Sequence, residues 1–221
     1  MQQDTAPHPV ADEDEARLRM VETQIAARGI EDLRVLHAMR KVPRHEFVPK
    51  AVQHLAYEDF PLPIGEQQTI SQPYIVAYMT QLIEPRASDR VLEVGTGSGY
   101  QAAILGELVE DVYTIEIVEP LARQAKETLE RLGYKNVHVR SGDGYRGWPE
   151  RGPFDAIVVT AAAPTVPKPL LEQLVVGGRL VIPVGERSQE LLVVTRTESG
   201  FREQKVLPVR FVPMTGRAQE E

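Results

Sequence analysis

The chain has 221 residues, 26% of them charged and 42% hydrophobic, which suits one large folded domain and argues against extensive disorder. A net charge of −7 opposes a broadly basic nucleic-acid-binding surface, and the absence of cysteine excludes disulfides, thiolate nucleophiles and cysteine metal ligands. The polar, acidic start MQQDTAPHPVADEDEA is not a signal peptide, and no apolar run approaches the roughly 18 residues of a membrane span, so a cytoplasmic protein without a membrane partner is expected.

Residues 1–11 carry no apolar residues at a useful period and are expected to form a disordered tail. From Asp12 the pattern turns helical, with Leu18, Val21 and Ile25 on one face, acidic residues in the first turn and Gly29 at the stop. A second short helix is expected over Asp32 to Arg40, ended by Pro43. "VPRHEFVP" reads as an irregular stretch anchored by Phe47. "YIVAYMTQLI" reads as a helix leading to Glu84. Between them, "GEQQTISQP" packs Gln67, Gln68, Thr69, Ser71 and Gln72 ahead of Pro73, and neither a helical nor a strand period accounts for it.

From Asp89 strands and helices alternate. "RVLEVG" is a short buried strand, followed by a helix from about Tyr100 to Val109. "VYTIEI" is the next strand and "PLARQAKETLERLG" the next helix, with Pro120 near its start and Gly133 at its stop. "VHVRSGDG", "FDAIVVTAAAP", "PKPLLEQL" and "GGRLVIPVG" continue the alternation, and "ELLVVTRT" and "FREQKVLPVRFV" close the chain as two strands. The pattern predicts an α/β fold with a doubly wound, mostly parallel Rossmann-like sheet and an antiparallel addition at one edge. Residues 12–84 form an N-terminal helical extension, 85–216 the sheet-bearing core, and 217–221 a short tail.

"LEVGTGSGY" places Gly95, Gly97 and Gly99 between a strand and a helix, where the backbone turns sharply and approaches a ligand closely. A tight turn with no ligand is the competing reading of that loop. Its context favours a site. Glu116 ends the next strand, near the spacing at which a carboxylate meets ribose hydroxyls, and Ile117 follows it. Dinucleotide sites use G-x-G-x-x-G against a pyrophosphate. Here the spacing is G-x-G-x-G and the strand ends in Glu93, a better neighbour for a cation than for phosphate. In "SGDG", Asp143 ends the third strand, where it can accept from an adenine amino group. Three acids at three successive strand ends point to S-adenosylmethionine, which carries an ammonium and a sulfonium and no phosphate.

"GEQQTISQP", "EVGTGSGY", "SGDG", "VTAAAPTVP", "GGRLVIPVG" and "FVPMTG", in this order, make the chain resemble the protein-L-isoaspartate O-methyltransferase family from about residue 14 to 216. The glycine loop alone marks only a class I methyltransferase; "TIS-x-P" and "AAAP-x-VP" are narrower signals. The resemblance implies methyl transfer from S-adenosylmethionine to the α-carboxylate of L-isoaspartyl residues in damaged proteins, with no metal, by a monomer. It also implies that Thr69, Ile70 and Ser71 lie across the cofactor near its methyl group, with Ser71 and Thr69 catalytic. Gln68, Glu93, Glu116, Asp143, Gly144 and Thr215 fall where members contact the cofactor. Tyr74 stands where some eukaryotic members have histidine and is left unassigned. A helix-capping role is the alternative for Ser71. A class I methyltransferase of RNA or a small metabolite, or a non-catalytic cofactor-binding module, are the alternative functions. The first lacks an Asn-Pro-Pro-Tyr-type motif, and the second leaves the intact "QTIS" unexplained.

Overall fold

A computed structural model describes residues 13–219; the expected tail over 1–11 and the helix start at Asp12 lie outside the described residues. Helix α1 (Glu13–Met20) opens the chain and passes directly into a π-helical turn, Val21–Ile25, and a 3₁₀ turn, Ala26–Arg28, ended by left-handed Gly29. The wider π turn changes which residues face inward. Met20, Val21 and Ile25 are buried, Met20 and Ile25 being one π turn apart, whereas Leu18, expected on that face, is 44% exposed.

Helix α2 (Leu33–Lys41) starts where Asp32 accepts from Arg34 N at 2.9 Å, a side-chain cap of the ordinary kind. Two 3₁₀ segments, Arg44–Phe47 and Lys50–Leu55, follow. The polar stretch for which no period was found contains strands. β1 (Leu62–Gly65) and β2 (Gln68–Ile70) form an antiparallel hairpin in which Leu62 faces Ile70 and Pro63 faces Thr69. Its tip, Glu66 and Gln67, holds two successive residues at positive φ (49° and 58°), the conformation of a tight two-residue hairpin turn usually given to Asn-Gly. Helix α3 (Pro73–Leu82) leaves the hairpin with proline in its first turn.

The core is a seven-stranded sheet in the order β5-β4-β3-β6-β7-β8-β9. β3 (Arg90–Val94), β4 (Asp111–Glu116), β5 (Val137–Ser141), β6 (Phe154–Val159) and β7 (Leu174–Val184) run parallel. β8 (Gln189–Thr197) and β9 (Gly200–Val209) pair antiparallel at one edge. Helices α4 (Tyr100–Gly106), α5 (Glu119–Arg131) and α6 (Lys168–Glu172) make the crossovers; α4 stops at Gly106, short of the expected Val109. β3 is central and Val91, Leu92 and Val94 are buried, each such side chain contributing about 1.5–3 kcal/mol. The strand order reverses beside β3: β4 lies on one side of it and β6 on the other. Ligands of such sheets bind at that crevice, outside the strands' carboxyl ends. Gly216–Gln219, at the border of the expected tail, forms a 3₁₀ turn with Ala218 buried. No helix among the described residues is long and apolar enough to cross a membrane.

Candidate active site

At the switch point lies a cavity of about 820 Å³, counting its open mouth. The sheet supplies its floor. Gly95 (φ 98°) and Gly97 (φ 53°) turn the chain off β3, and a Cβ at Gly95 would run into the hydroxyl of Thr160, which ends β6. Thr160 Oγ1 donates to Gly95 O at 2.5 Å, so the loop is fastened to the next strand. Glu116 lines the wall, with Oε2 accepting from Gly97 N at 2.7 Å and Oε1 from Val118 N at 2.9 Å. Two backbone donors thus fix the carboxylate and leave lone pairs for ligand hydroxyls. At Gly144 a Cβ would strike the Val94 side chain, so only glycine lets β5's end approach β3 so closely.

Of the residues singled out from the sequence, Gln68, Thr69, Ile70, Ser71, Gly95, Gly97, Glu116, Ile117, Gly144 and Thr215 line this one cavity. Glu93, Gly99 and Asp143 stand outside its lining. Glu93 is wholly buried beneath the loop. Its Oε2 accepts from the Thr114 hydroxyl, which bonds Thr96 Oγ1 at 2.6 Å, and Thr96 reaches the cavity wall. Burial pushes the Glu93 carboxyl up to about 8, and the Glu116 charge adds to the rise, while Thr114 opposes it. Its Oε1 has no hydrogen-bond partner among the described residues. Gly99 starts α4 in the left-handed conformation, against Leu129 and Ala125 of α5. Asp143 accepts from Tyr145 N at 2.9 Å and Arg217 N at 3.0 Å, tying the C-terminal turn to the end of β5.

A second, more open groove of about 1480 Å³ meets the first at Thr69, Ser71, Thr160 and Val212. Three hydroxyls therefore stand where the two spaces join. The Ser71 hydroxyl makes no hydrogen bond among the described residues, and the N-cap of α3 is Gln72, whose side chain does not cap the helix. The exposed N–H of the first turn is served instead by Asp59, whose Oδ1 accepts from Tyr74 N at 3.3 Å. The capping role considered for Ser71 is thus not the one it plays here. Asp59 also accepts from Gln72 Nε2 (2.7 Å at Oδ2) and pairs with Arg28 at 2.5 Å, and the Arg28 guanidinium lies 3.6 Å from the Tyr74 ring centre. These contacts clamp the segment that carries Ser71.

Sequence reasoning missed Thr160, Thr96, the Val212–Met214 wall and the Asp59 clamp. Thr160 left a trace, as the polar residue closing the apolar run "FDAIVVT"; Asp59, at a distance in sequence, left none.

The cavity suits the ligand expected from the sequence. No lysine, arginine or histidine lines it, so nothing there would neutralise a phosphate, while a held carboxylate and backbone groups suit a cation bearing vicinal hydroxyls.

Comparison with known proteins agrees with this geometry. Residues 15–219 match the family model described as protein-L-isoaspartate(D-aspartate) O-methyltransferase. The chain is 58% identical over 204 residues to the protein-L-isoaspartate O-methyltransferase of Gloeobacter violaceus, covering 91% of this chain and 100% of that protein. It is 60% identical over 200 residues to protein-L-isoaspartate O-methyltransferase 2 of Pelobacter propionicus, covering 89% of each. Among solved structures, a protein-L-isoaspartate O-methyltransferase superposes with a TM-score of 0.84 at 30% identity, over 93% of this chain and 67% of that one. A Plasmodium falciparum protein described as a protein-L-isoaspartate O-methyltransferase, solved with S-adenosyl-L-homocysteine, does so at 0.79 and 27%, over 90% and 98%. The fold, the crevice and these matches along nearly its whole length together place the chain in the protein-L-isoaspartate(D-aspartate) O-methyltransferase family.

Proposed function

We propose that two cavities meeting at three hydroxyls divide the family reaction between them, the smaller one at the sheet holding S-adenosylmethionine and the more open one the polypeptide acceptor. The chain is an S-adenosylmethionine-dependent protein carboxyl methyltransferase that acts on the α-carboxylate of L-isoaspartyl residues in damaged proteins. The observation that carries the division of labour is the junction itself: Thr69, Ser71 and Thr160 line both spaces.

When bound, S-adenosylmethionine supplies an electrophilic methyl group on a sulfonium. Glu116 would accept from the ribose hydroxyls, Gln68, Ile70, Ile117, Gly144 and Thr215 would enclose the ligand, and the Gly95–Gly97 backbone would approach it where side chains could not. Glu93 and Asp143 act from behind this wall, the first beneath the glycine loop and the second by holding the C-terminal turn against Gly144.

The acceptor needs no base. An α-carboxyl has a reference pKa of about 3.5 and is ionised at neutral pH, so there is no proton to remove. What limits a carboxylate in water is its hydration and its freedom. Ser71, with its hydroxyl unengaged, and Thr69 donate to one carboxylate oxygen and aim the other, and the covering hairpin excludes water. The methoxy group of the ester leaves, as methanol, far more readily than an oxygen leaves a carboxylate, so the neighbouring amide nitrogen gives up its proton and attacks the ester carbonyl to close a succinimide, and water reopens that ring partly to normal aspartate. A cytoplasmic monomer acting on protein substrates is the form proposed.

The test is an isoaspartyl peptide beside its aspartyl twin, incubated with tritiated S-adenosylmethionine. Base-labile methyl ester is expected on the first alone. Labelling of bulk RNA without labelling of the isoaspartyl peptide would overturn the proposal.

A further inference from the structure

The acceptor groove carries two guanidinium groups, and they differ. Arg28 has its charge answered by Asp59 at 2.5 Å and its face laid on Tyr74. Arg210 is exposed, and no hydrogen bond or ion pair engages its side chain among the described residues. Its backbone is nevertheless fixed. Gln189 brackets the next residue, donating to Phe211 O at 3.1 Å and accepting from Phe211 N at 2.6 Å, and Ala162 N donates to Val212 O at 2.8 Å. Arg210 therefore projects from a held segment whose next residues form the wall shared by both cavities.

Position adds to the argument. Arg210 also borders a further groove, which shares Pro208, Val209, Arg210 and Phe211 with the acceptor groove, so a polypeptide running from Ser71 into that groove would pass this side chain. In that further groove Glu186 and Arg187 stand side by side, and Arg210 tips the charge of the described lining to positive. The whole chain carries −7, which repels acidic polypeptides; among the described residues lining the acceptor groove, Arg28 is paired with Asp59 and Arg210 brings a positive charge without a partner. A fixed local cation beside low-dielectric walls acts on near neighbours even when the distant field opposes it.

Resting on the isoaspartyl reading, we infer that Arg210 sets the charge preference of the acceptor groove, favouring polypeptides with a carboxylate side chain flanking the residue that is methylated. Arg28 contributes little to that choice because Asp59 already answers it.

Three proteins and two peptides test this. One isoaspartyl peptide has glutamate on both sides of the reacting residue and the other has lysine, and kcat/KM is measured for each by methyl ester formation. The native chain is expected to favour the glutamate peptide by about two- to fivefold at low salt, the size of an exposed pair. At about 1 M salt, where screening reaches within roughly 3 Å, that preference should vanish. Arg210→Gln should bring the ratio near one and Arg210→Glu should reverse it. An identical ratio in all three proteins, or a native preference for lysine, would overturn the inference while leaving the isoaspartyl reading intact. Methylation of neither peptide would overturn both.

Discussion

The two sides of the active site are built by different means. On the cofactor side the sheet does the positioning: Glu116 is fixed by two backbone N–H groups, and the glycine loop is fastened to β6 through Thr160. On the acceptor side a three-residue strand and the start of α3 carry the hydroxyls, and a side-chain clamp centred on Asp59 holds them. The first side leaves its polar wall prearranged for a ligand of fixed shape. The second leaves Ser71 without a partner among the described residues, so an incoming carboxylate gains a hydrogen bond and displaces none within the protein. Binding precision comes from the core, and reactive adaptability from a loop held at a few points.

That contrast can be broken on either side. Glu116→Ala should have the largest effect, since it removes a charged acceptor: about 1.5–3 kcal/mol, or roughly 10- to 150-fold in cofactor affinity by calorimetry, with turnover at saturating cofactor changed less. Unchanged affinity would remove Glu116 from the site. Asp59→Asn should do the reverse. Loosening the clamp is expected to lower turnover by about tenfold through misplacement of the Ser71 segment, with cofactor affinity close to native. A fall in both together would show that the two sides are not separable.

A smaller effect concerns Glu93. Its carboxyl titrates at about 8 in the folded protein against an ordinary 4.5, so the neutral acid is the form that the fold prefers. The associated stability is fully present below about pH 4.5 and is lost as pH rises through about 8. Glu93→Gln, which cannot ionise, should therefore lose less stability than the native chain between about pH 4.5 and about pH 8 in urea unfolding. Parallel pH profiles for the two proteins would show that Glu93 is already ionised.

The parallel core was legible because its strands are apolar runs punctuated by glycines, and the carboxyl edge followed from them. "LEVGTGSGY" and "YTIEI" name the loop and Glu116 without help from tertiary contacts. Spacing says that a residue ends a strand but not which way it faces. Glu116 stands in the cavity wall while Glu93 goes beneath it, because Thr114, directly across on β4, draws its carboxyl into the sheet. The hairpin was illegible because its strands are short and its tip puts Glu66 and Gln67, rather than glycine or asparagine, at positive φ. Leu18 was misplaced by a π turn that no propensity signals, and Asp59 acts on Gln72 and Tyr74, thirteen and fifteen positions further along the chain.

Ser71 tests the account most directly, since three roles leave three different marks. If it orients an acceptor already ionised, Ser71→Ala should lower turnover by about ten- to a hundredfold. The pH–rate profile near neutrality should keep its shape, and stability should move by no more than about 0.5 kcal/mol, because no internal hydrogen bond is lost. The decisive measurement is the pH–rate profile of Ser71→Ala on an isoaspartyl peptide, with the unfolding midpoint taken on the same preparation. A reduced rate with the native profile and native midpoint is the predicted result. Full turnover, a profile of altered shape, or a loss of about 1 kcal/mol with near-normal turnover would contradict it.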